Sequence, residues 1–478
     1  MKFSIIVLLS ILHTFVKAQN CNCENELQFV TNYYETNLPG FTDNVNDSNR
    51  QAYLNFKEEL KLKANKFCDN KSECFKLLTY YVEFFKDNHS GIDYNDYQKV
   101  NESNPKDLEE FLNSNLFKKH ETIDINSVSF EKRELQSLQN TYQSKDSIYT
   151  IKIIEQKNGV RDYIGIITDS RTPLWVRGQV KFELKKKANN KFDMLVYMRD
   201  HSIKYYNDVE FKNGILANNW FNTELKQRHT YNIDAPKDLI FKEINSQINY
   251  IHIPTFSGYW SAKLDSFYSK YDKAIQSKPY LIIDVRNNGG GSDDNANPLL
   301  KYIYSKPFYS DKVELYVTEE NIRKSIEWYE TNKIDTINFD KSFMKEIQEE
   351  IERMKKAPLN SFISRSDKQL IKLNQVLKHP KKIAVLMNRN CASSCESLLF
   401  WAMESSKCIL MGENSGGYVG YGEIGSTTTP YFKFNLGCTM TRYDYQRAYE
   451  SIGIPVQYYL NNNEDWIDQC VKILTNKK

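Results

Sequence analysis

From about residue 246 to the end, runs with strand character alternate with runs of helical spacing, and few folds accept that order. "INYIHIPTF" reads as a strand and "SAKLDSFYSKYDKAIQS" as an amphipathic helix. "PYLIIDVRNNGGG" is a continuous apolar strand with a glycine-rich exit, and "KKIAVLMN", a helix from Ser394 and "CILMGE" follow. Uninterrupted apolar strands separated by helices imply a mixed, largely parallel sheet covered by helices, an α/β core. A long charged helical stretch between about 319 and 378 reads as an excursion from that sheet.

The texture upstream differs. Residues 19–124 carry apolar residues at three- and four-residue spacing, as in "SECFKLLTYYVEFFKDN", and read as a helical region. That run ends in "KDNHSGIDY", where Asp, Asn and Gly stop the helix and leave His89 on a turn. Residues 125–245 are short β-rich runs such as "DSIYTIKIIEQ" and "RGQVKFELKKK", broken by turn residues. They read as a separate β domain, a small barrel or a sandwich. The α/β unit then occupies 246–478.

The first eighteen residues, "MKFSIIVLLSILHTFVKA", have Lys2, a short apolar run and a small residue at the end. This is the pattern of a cleaved secretory signal peptide and is too short to span a bilayer. The mature chain is expected to be exported, to a periplasm or the exterior. No later segment has the length of apolar sequence a membrane helix needs. A formal net charge of +3 on 478 residues gives no footprint for nucleic acid or an anionic surface.

Nine cysteines in an exported chain leave room for disulfides and at least one odd thiol. Cys68 and Cys74 are spaced to close a short loop. Cys21 and Cys23 look like half a metal site, but no second pair follows at zinc spacing. No metal or organic cofactor is implied, and nothing in the sequence speaks to oligomeric state.

Four segments carry potential chemistry. Gly289, Gly290 and Gly291 end a buried strand, where backbone amides can approach a ligand. The spacing is neither a dinucleotide fingerprint nor a P-loop, which leaves an oxyanion-binding loop or a plain turn. Ser393 and Ser394 in "CASSCE" stand where a strand gives way to a helix, the position of a nucleophile elbow and equally of a helix N-cap. His89 sits among small and polar residues on its turn. Glu450 precedes a Gly-Ile-Pro turn and is unremarkable by itself.

In combination, "YIHIPTF", "LIIDVRNNGGG", "CASSCE", "GENSGG" and "ESIGIP", with the upstream "KDNHSGI", resemble the C-terminal processing (tail-specific) serine peptidases. The resemblance covers mainly 246–460 and is to the branch that includes the tricorn core peptidase. It implies a ClpP/crotonase-like core and a peptidase acting on extended or unstructured polypeptides. The family pattern places the nucleophile three residues before the Glu of the small-residue motif, at Ser393. Ser394 and the loop at Gly289 and Gly290 would then supply oxyanion donors. The Ser–Lys branch carries a lysine after the "GE" strand, whereas "GENSGGYVG" has Tyr418 there. The Ser–His–Glu branch matches His89 as base and Glu450 as its orienter. Asn88 stands where that branch can place a Ser, and the β-rich middle stands where many relatives carry a PDZ domain. Two alternatives share the core: a non-catalytic carrier that binds a ligand, and an esterase or amidase acting on smaller substrates.

Overall fold

The computed structural model describes residues 21–95, 97, 99–157, 160–226, 234–336, 339 and 341–475. The proposed signal peptide, 1–18, lies outside them. No helix among the described residues is long and apolar enough to cross a membrane.

The parallel core follows from the apolar strands. A six-stranded sheet runs in the order Ile240–Glu243, Ile248–His252, Tyr280–Asp284, Lys382–Met387, Cys408–Gly412, Tyr458–Tyr459. Only the first pair is antiparallel. Both faces are covered, which is why these strands do not alternate polar and apolar residues. Ile251, Ile283 and Val385 pack under the helices Ser261–Ile275, Asp293–Ile303 and Ser394–Met403, while Ile282, Ala384 and Leu386 face Trp466 of the last helix. Each fully buried Ile or Leu side chain contributes about 1.5–3 kcal/mol. Asp284 and Leu386 are direct neighbours, so the two strands leave the sheet side by side. That adjacency places the Gly loop beside the Ser turn.

A five-stranded antiparallel sheet stands beside this core, with Asn435–Tyr443 at its centre. Tyr421–Thr428 flanks it on one side; Gly91–Asp93 and Val313–Val317 pair with its two ends on the other. The segment after 319 is only partly helical: after Glu319–Asn332 and Lys341–Lys356 it returns as the strand Ser361–Ser366, paired with Val313–Val317. That strand is half-buried and polar, so it lacks an apolar signature.

The β-rich middle is a closed eight-stranded antiparallel barrel from Thr141–Ser144 to Trp220–Asn222, whose ends pair through Tyr142 and Asn222. Ile151, Ile153, Ile164, Phe182 and Leu184 are buried in it. The helices Asn22–Asn37, Arg50–Phe67 and Lys71–Val82 share one apolar cluster with the barrel, with Leu436 of the antiparallel sheet and with Phe434 just before that strand. The N-terminal helices thus pack with the barrel and the antiparallel sheet, while the parallel sheet packs in clusters of its own.

Cys74 does not close the short loop with Cys68. It is bonded to Cys23, with 5.5 Å between the Cα atoms, because the first helix lies against Lys71–Val82. Cys23 is therefore committed to a disulfide, and Cys21 and Cys68 are free thiols. Cys391 and Cys395 are buried free thiols at the Ser turn.

Candidate active site

Ser393 stands at φ 56°, ψ −126°, immediately before the helix Ser394–Met403. A side chain in this region of backbone space costs roughly 1–3 kcal/mol, so the turn persists only because its surroundings hold it. Glu396 does much of that. It is fully buried, and its Oε2 accepts the N–H of Ser393 at 3.0 Å and that of Tyr418 at 2.8 Å. Its Oε1 accepts the Ser415 hydroxyl and the Gly417 N–H. Burial raises the Glu396 pKa, and these donors pull it back down. One carboxyl thus ties the Ser turn to the "GENSGGYVG" loop.

The Gly loop presses on the same turn. Gly290 has φ +90°, and a Cβ there would lie 2.5 Å from the Ala392 carbonyl oxygen and 2.8 Å from both Ser393 Cβ and Ser394 N. Only glycine fits. Asparagines fasten the two strand exits together: Asn388 Oδ1 accepts the Asn287 N–H, and the Asn388 and Asn390 side chains both donate to Asn287 Oδ1, each at 2.9 Å. The Gly290 N–H donates to Asn288 Oδ1 at 2.9 Å. Gly290 therefore acts here by its lack of a side chain, with its amide engaged inside the loop. Gly289 is exposed, with nothing within 4 Å of a Cβ placed on it. Among the described residues, neither the Gly289 nor the Ser394 amide has a protein acceptor.

His89 follows Asp87 and Asn88 on the turn that leads into the edge strand Gly91–Asp93. Asp87 is buried and shapes the turn, accepting from the His89 N–H and from the Ser90 N–H and hydroxyl. It also accepts the Thr439 hydroxyl at 2.6 Å, which fixes the turn to the central strand of the antiparallel sheet. The His89 ring meets the Tyr418 ring edge-on, with centroids 5.5 Å apart. Tyr418 thus touches the histidine through its ring and Glu396 through its amide. Burial lowers the His89 pKa below its ordinary value, against the opposing Asp87 charge.

Glu450 reaches the His turn through the backbone. Its Oε1 accepts the Asn88 N–H at 2.8 Å, and its Oε2 accepts the Val419 and Gly420 amides at 2.8 and 2.6 Å. Burial raises its pKa to about 8, with the Asp87 charge adding to the shift. Among the described residues His89 Nδ1 is buried without a hydrogen-bond partner, and the Glu450 oxygens bond backbone amides rather than the imidazole. No hydrogen bond joins His89 to Ser393 among the described residues.

The structure therefore brings Gly290 against Ser393 and Ser394, with Gly289 exposed next to it in the loop, and joins Glu450 to the turn of His89 through the Asn88 amide. Tyr418 and Glu396 link the two. A cavity of about 1480 Å³ opens beside His89 and Tyr418, bounded by Arg389 and Asn390 on one side and by Tyr205 and Asn207 of the barrel on the other. Its wall does not include Ser393. The residues that sequence reasoning missed are Asp87, the asparagines and the bonding role of Glu396. The available signal was the asparagine pair at each strand exit, "RNNG" and "NRN".

His252 and His201 belong elsewhere. Both His252 ring nitrogens face backbone carbonyls beneath the parallel sheet, and His201 stacks on Trp175 in the barrel region. No group of three or more His, Cys, Asp or Glu among the described residues is placed to hold a metal ion.

Residues 247–469 match the family model of Peptidase family S41. No curated protein matches the chain. Among solved structures, mature CPAF aligns at 12% identity and a TM-score of 0.48, covering 94% of this chain and 96% of that one. A putative peptidase from Parabacteroides merdae ATCC 43184 aligns at 13% identity and a TM-score of 0.43, covering 96% and 98%. The photosystem II D1 C-terminal processing protease aligns at 11% identity and a TM-score of 0.36, covering 95% and 98%. Members of Peptidase family S41 are serine proteases, which supports a proteolytic function. The segment similar to Peptidase family S41 is thus the one that carries the Gly loop, the Ser turn and Glu450.

Proposed function

We propose that this protein is an exported serine peptidase of the Ser–His–Glu kind, with a ClpP/crotonase-like core, that hydrolyses extended or unstructured polypeptides. Ser393 Oγ attacks the scissile carbonyl carbon while His89 takes the hydroxyl proton. The resulting oxyanion is held by the amides of Ser394 and Gly289. On collapse the C–N bond breaks, His89 returns the proton to the leaving amine, and water then hydrolyses the acyl-enzyme with His89 again as base. Each oxyanion donor is worth roughly 2.7–4 kcal/mol in the transition state.

Glu450 serves this scheme by holding the Asn88 amide and hence the His turn. Ionised, it also favours the imidazolium that forms during attack. The observation that carries the reading is the packing of Gly290 on the strained Ser393 turn, with the Ser394 and Gly289 amides, one on each side of that contact, free of protein acceptors among the described residues. A carrier function would use the large cavity but has no need of backbone strain at Ser393. An esterase or amidase would use the same groups on smaller substrates.

Ser393→Ala is expected to abolish cleavage of an unfolded polypeptide while leaving the melting temperature near that of the parent. Wild-type cleavage by that variant would refute the assignment.

A further inference from the structure

The barrel touches both halves of this site from a single irregularity in one strand. In the barrel strand Ile203–Lys212, Tyr206 stands opposite Met194 and Val209 opposite Phe192. Asn207 and Asp208 therefore share the single partner Asp193, which is a β-bulge. Asp208 has φ +51°, so the strand bends there. The bend is fastened on its own side. Asp193 Oδ1 accepts the Asp208 N–H at 3.3 Å, and Lys187 Nζ bridges Asp193 and Asp208 at 3.0 and 2.7 Å.

The two bulged residues point their polar groups at the two catalytic turns. Asn207 Nδ2 donates to Asn88 Oδ1 at 3.2 Å, and Arg389 Nη1 donates to the Asp208 carbonyl at 2.8 Å. Asn88 precedes His89 and is itself a junction. Its Nδ2 donates to the Gly417 carbonyl at 2.9 Å, its N–H to Glu450, and its Oδ1 also accepts the Ser451 hydroxyl at 3.2 Å. Arg389 lies on the strand exit that leads to Ser393. Because His89 and Ser393 share no hydrogen bond of their own, their spacing depends on what braces each turn.

We infer that the bulge at Asn207 and Asp208 is a positioning element of the catalytic centre, setting the His89 turn against the Ser393 turn from outside the Peptidase family S41 segment; this rests on the peptidase reading above. Asn207 and Asp208 are positioning residues, acting through Asn88 and Arg389. A misplacement of about 1 Å in such a centre costs on the order of a hundredfold in rate.

The test is a double-mutant cycle with unfolded, fluorophore-labelled casein as substrate. Asn207→Ala is expected to lower kcat by roughly ten- to a hundredfold with KM little changed. In an Asn88→Ala background the same change is expected to have no further effect. Lys145→Ala, which removes an ion pair with Asp234 at the turn after the strand Thr141–Ser144, away from the bulge, is expected to leave kcat unchanged. The His89 ring titration is followed by NMR in the same variants. Asn207→Ala is expected to raise it toward the ordinary histidine value as water enters the turn, a shift that requires no turnover. Unchanged kcat and unchanged His89 titration in Asn207→Ala overturn the inference, as do additive losses in the cycle. A wild-type chain that cleaves nothing, but whose His89 titration still responds to Asn207→Ala, refutes the peptidase reading and leaves the bulge's role standing.

Discussion

The amides of Ser393 and Tyr418 converge on one oxygen, Glu396 Oε2, at 3.0 and 2.8 Å. Tyr418 follows Ser393 by 25 positions, and the helix between them packs on the parallel sheet while the strand between them belongs to it. Glu396→Gln turns one of the carboxyl oxygens into an amide nitrogen facing two donors. Each buried donor left unpaired costs about 1–3 kcal/mol. The variant is expected to melt several degrees below the parent and to lose at least roughly tenfold in kcat, an effect of about 1.4 kcal/mol on the barrier. Thermal unfolding and steady-state kinetics on one preparation check both.

Gly290 and Gly289 are expected to respond in opposite ways to the same methyl group. Gly290→Ala places a Cβ against the Ala392 carbonyl at a positive φ, so the Gly loop must move off the Ser turn. A loss of roughly a hundredfold or more in kcat is expected. Gly289→Ala meets open space, keeps the amide, and is expected to stay near the parent rate. Equal losses in the two variants, measured by kcat, contradict the proposed packing role of Gly290.

The titrating groups fix the sign of two pH effects. His89 must be neutral to act as base, and burial lowers its pKa, so the acid limb of kcat/KM is expected below the ordinary histidine value of 6.5. Glu450 is raised from 4.5 to about 8, so the folded state holds its proton more tightly than the unfolded chain. Its contribution to stability is fully present below pH 4.5 and is lost as pH rises toward 8. Glu450→Gln removes that term. Its unfolding free energy, from urea titrations, is expected to vary less with pH across this window than that of the parent.

The disulfide Cys23–Cys74 closes a separation of 51 residues between two packed helices. Replacing both cysteines with serine is expected to cost about 2–4 kcal/mol in urea unfolding, chiefly through the freer unfolded chain. Because Tyr34 on the first helix bonds the Gly437 carbonyl, the loss is expected to loosen the sheet that carries the His turn.

Much of the fold was legible because its parallel strands are buried on both faces. "LIIDV" and "IAVLM" are apolar almost throughout, as strands in the middle of a covered sheet are. The Ser turn was legible from small residues between a strand and a helix, and the β-rich texture of the middle region pointed to a barrel or a sandwich. The strand Ser361–Ser366 was not, because its half-buried polar residues give no period. The braces of the site were not either. Asp87, Asn287 and Asn207 each bond a residue more than a hundred positions away, on Thr439, Asn388 and Asn88. Such pairings depend on tertiary position, and no local pattern encodes them. The disulfide is of the same kind, since its partner was chosen by helix packing and not by spacing.

The central claim is that the Ser393 hydroxyl is the nucleophile. A fluorophosphonate probe followed by peptide mapping reads this directly. The expected result is one adduct, on Ser393, that disappears in Ser393→Ala together with cleavage of unfolded polypeptide. An adduct on another residue, or cleavage that persists in Ser393→Ala, contradicts it.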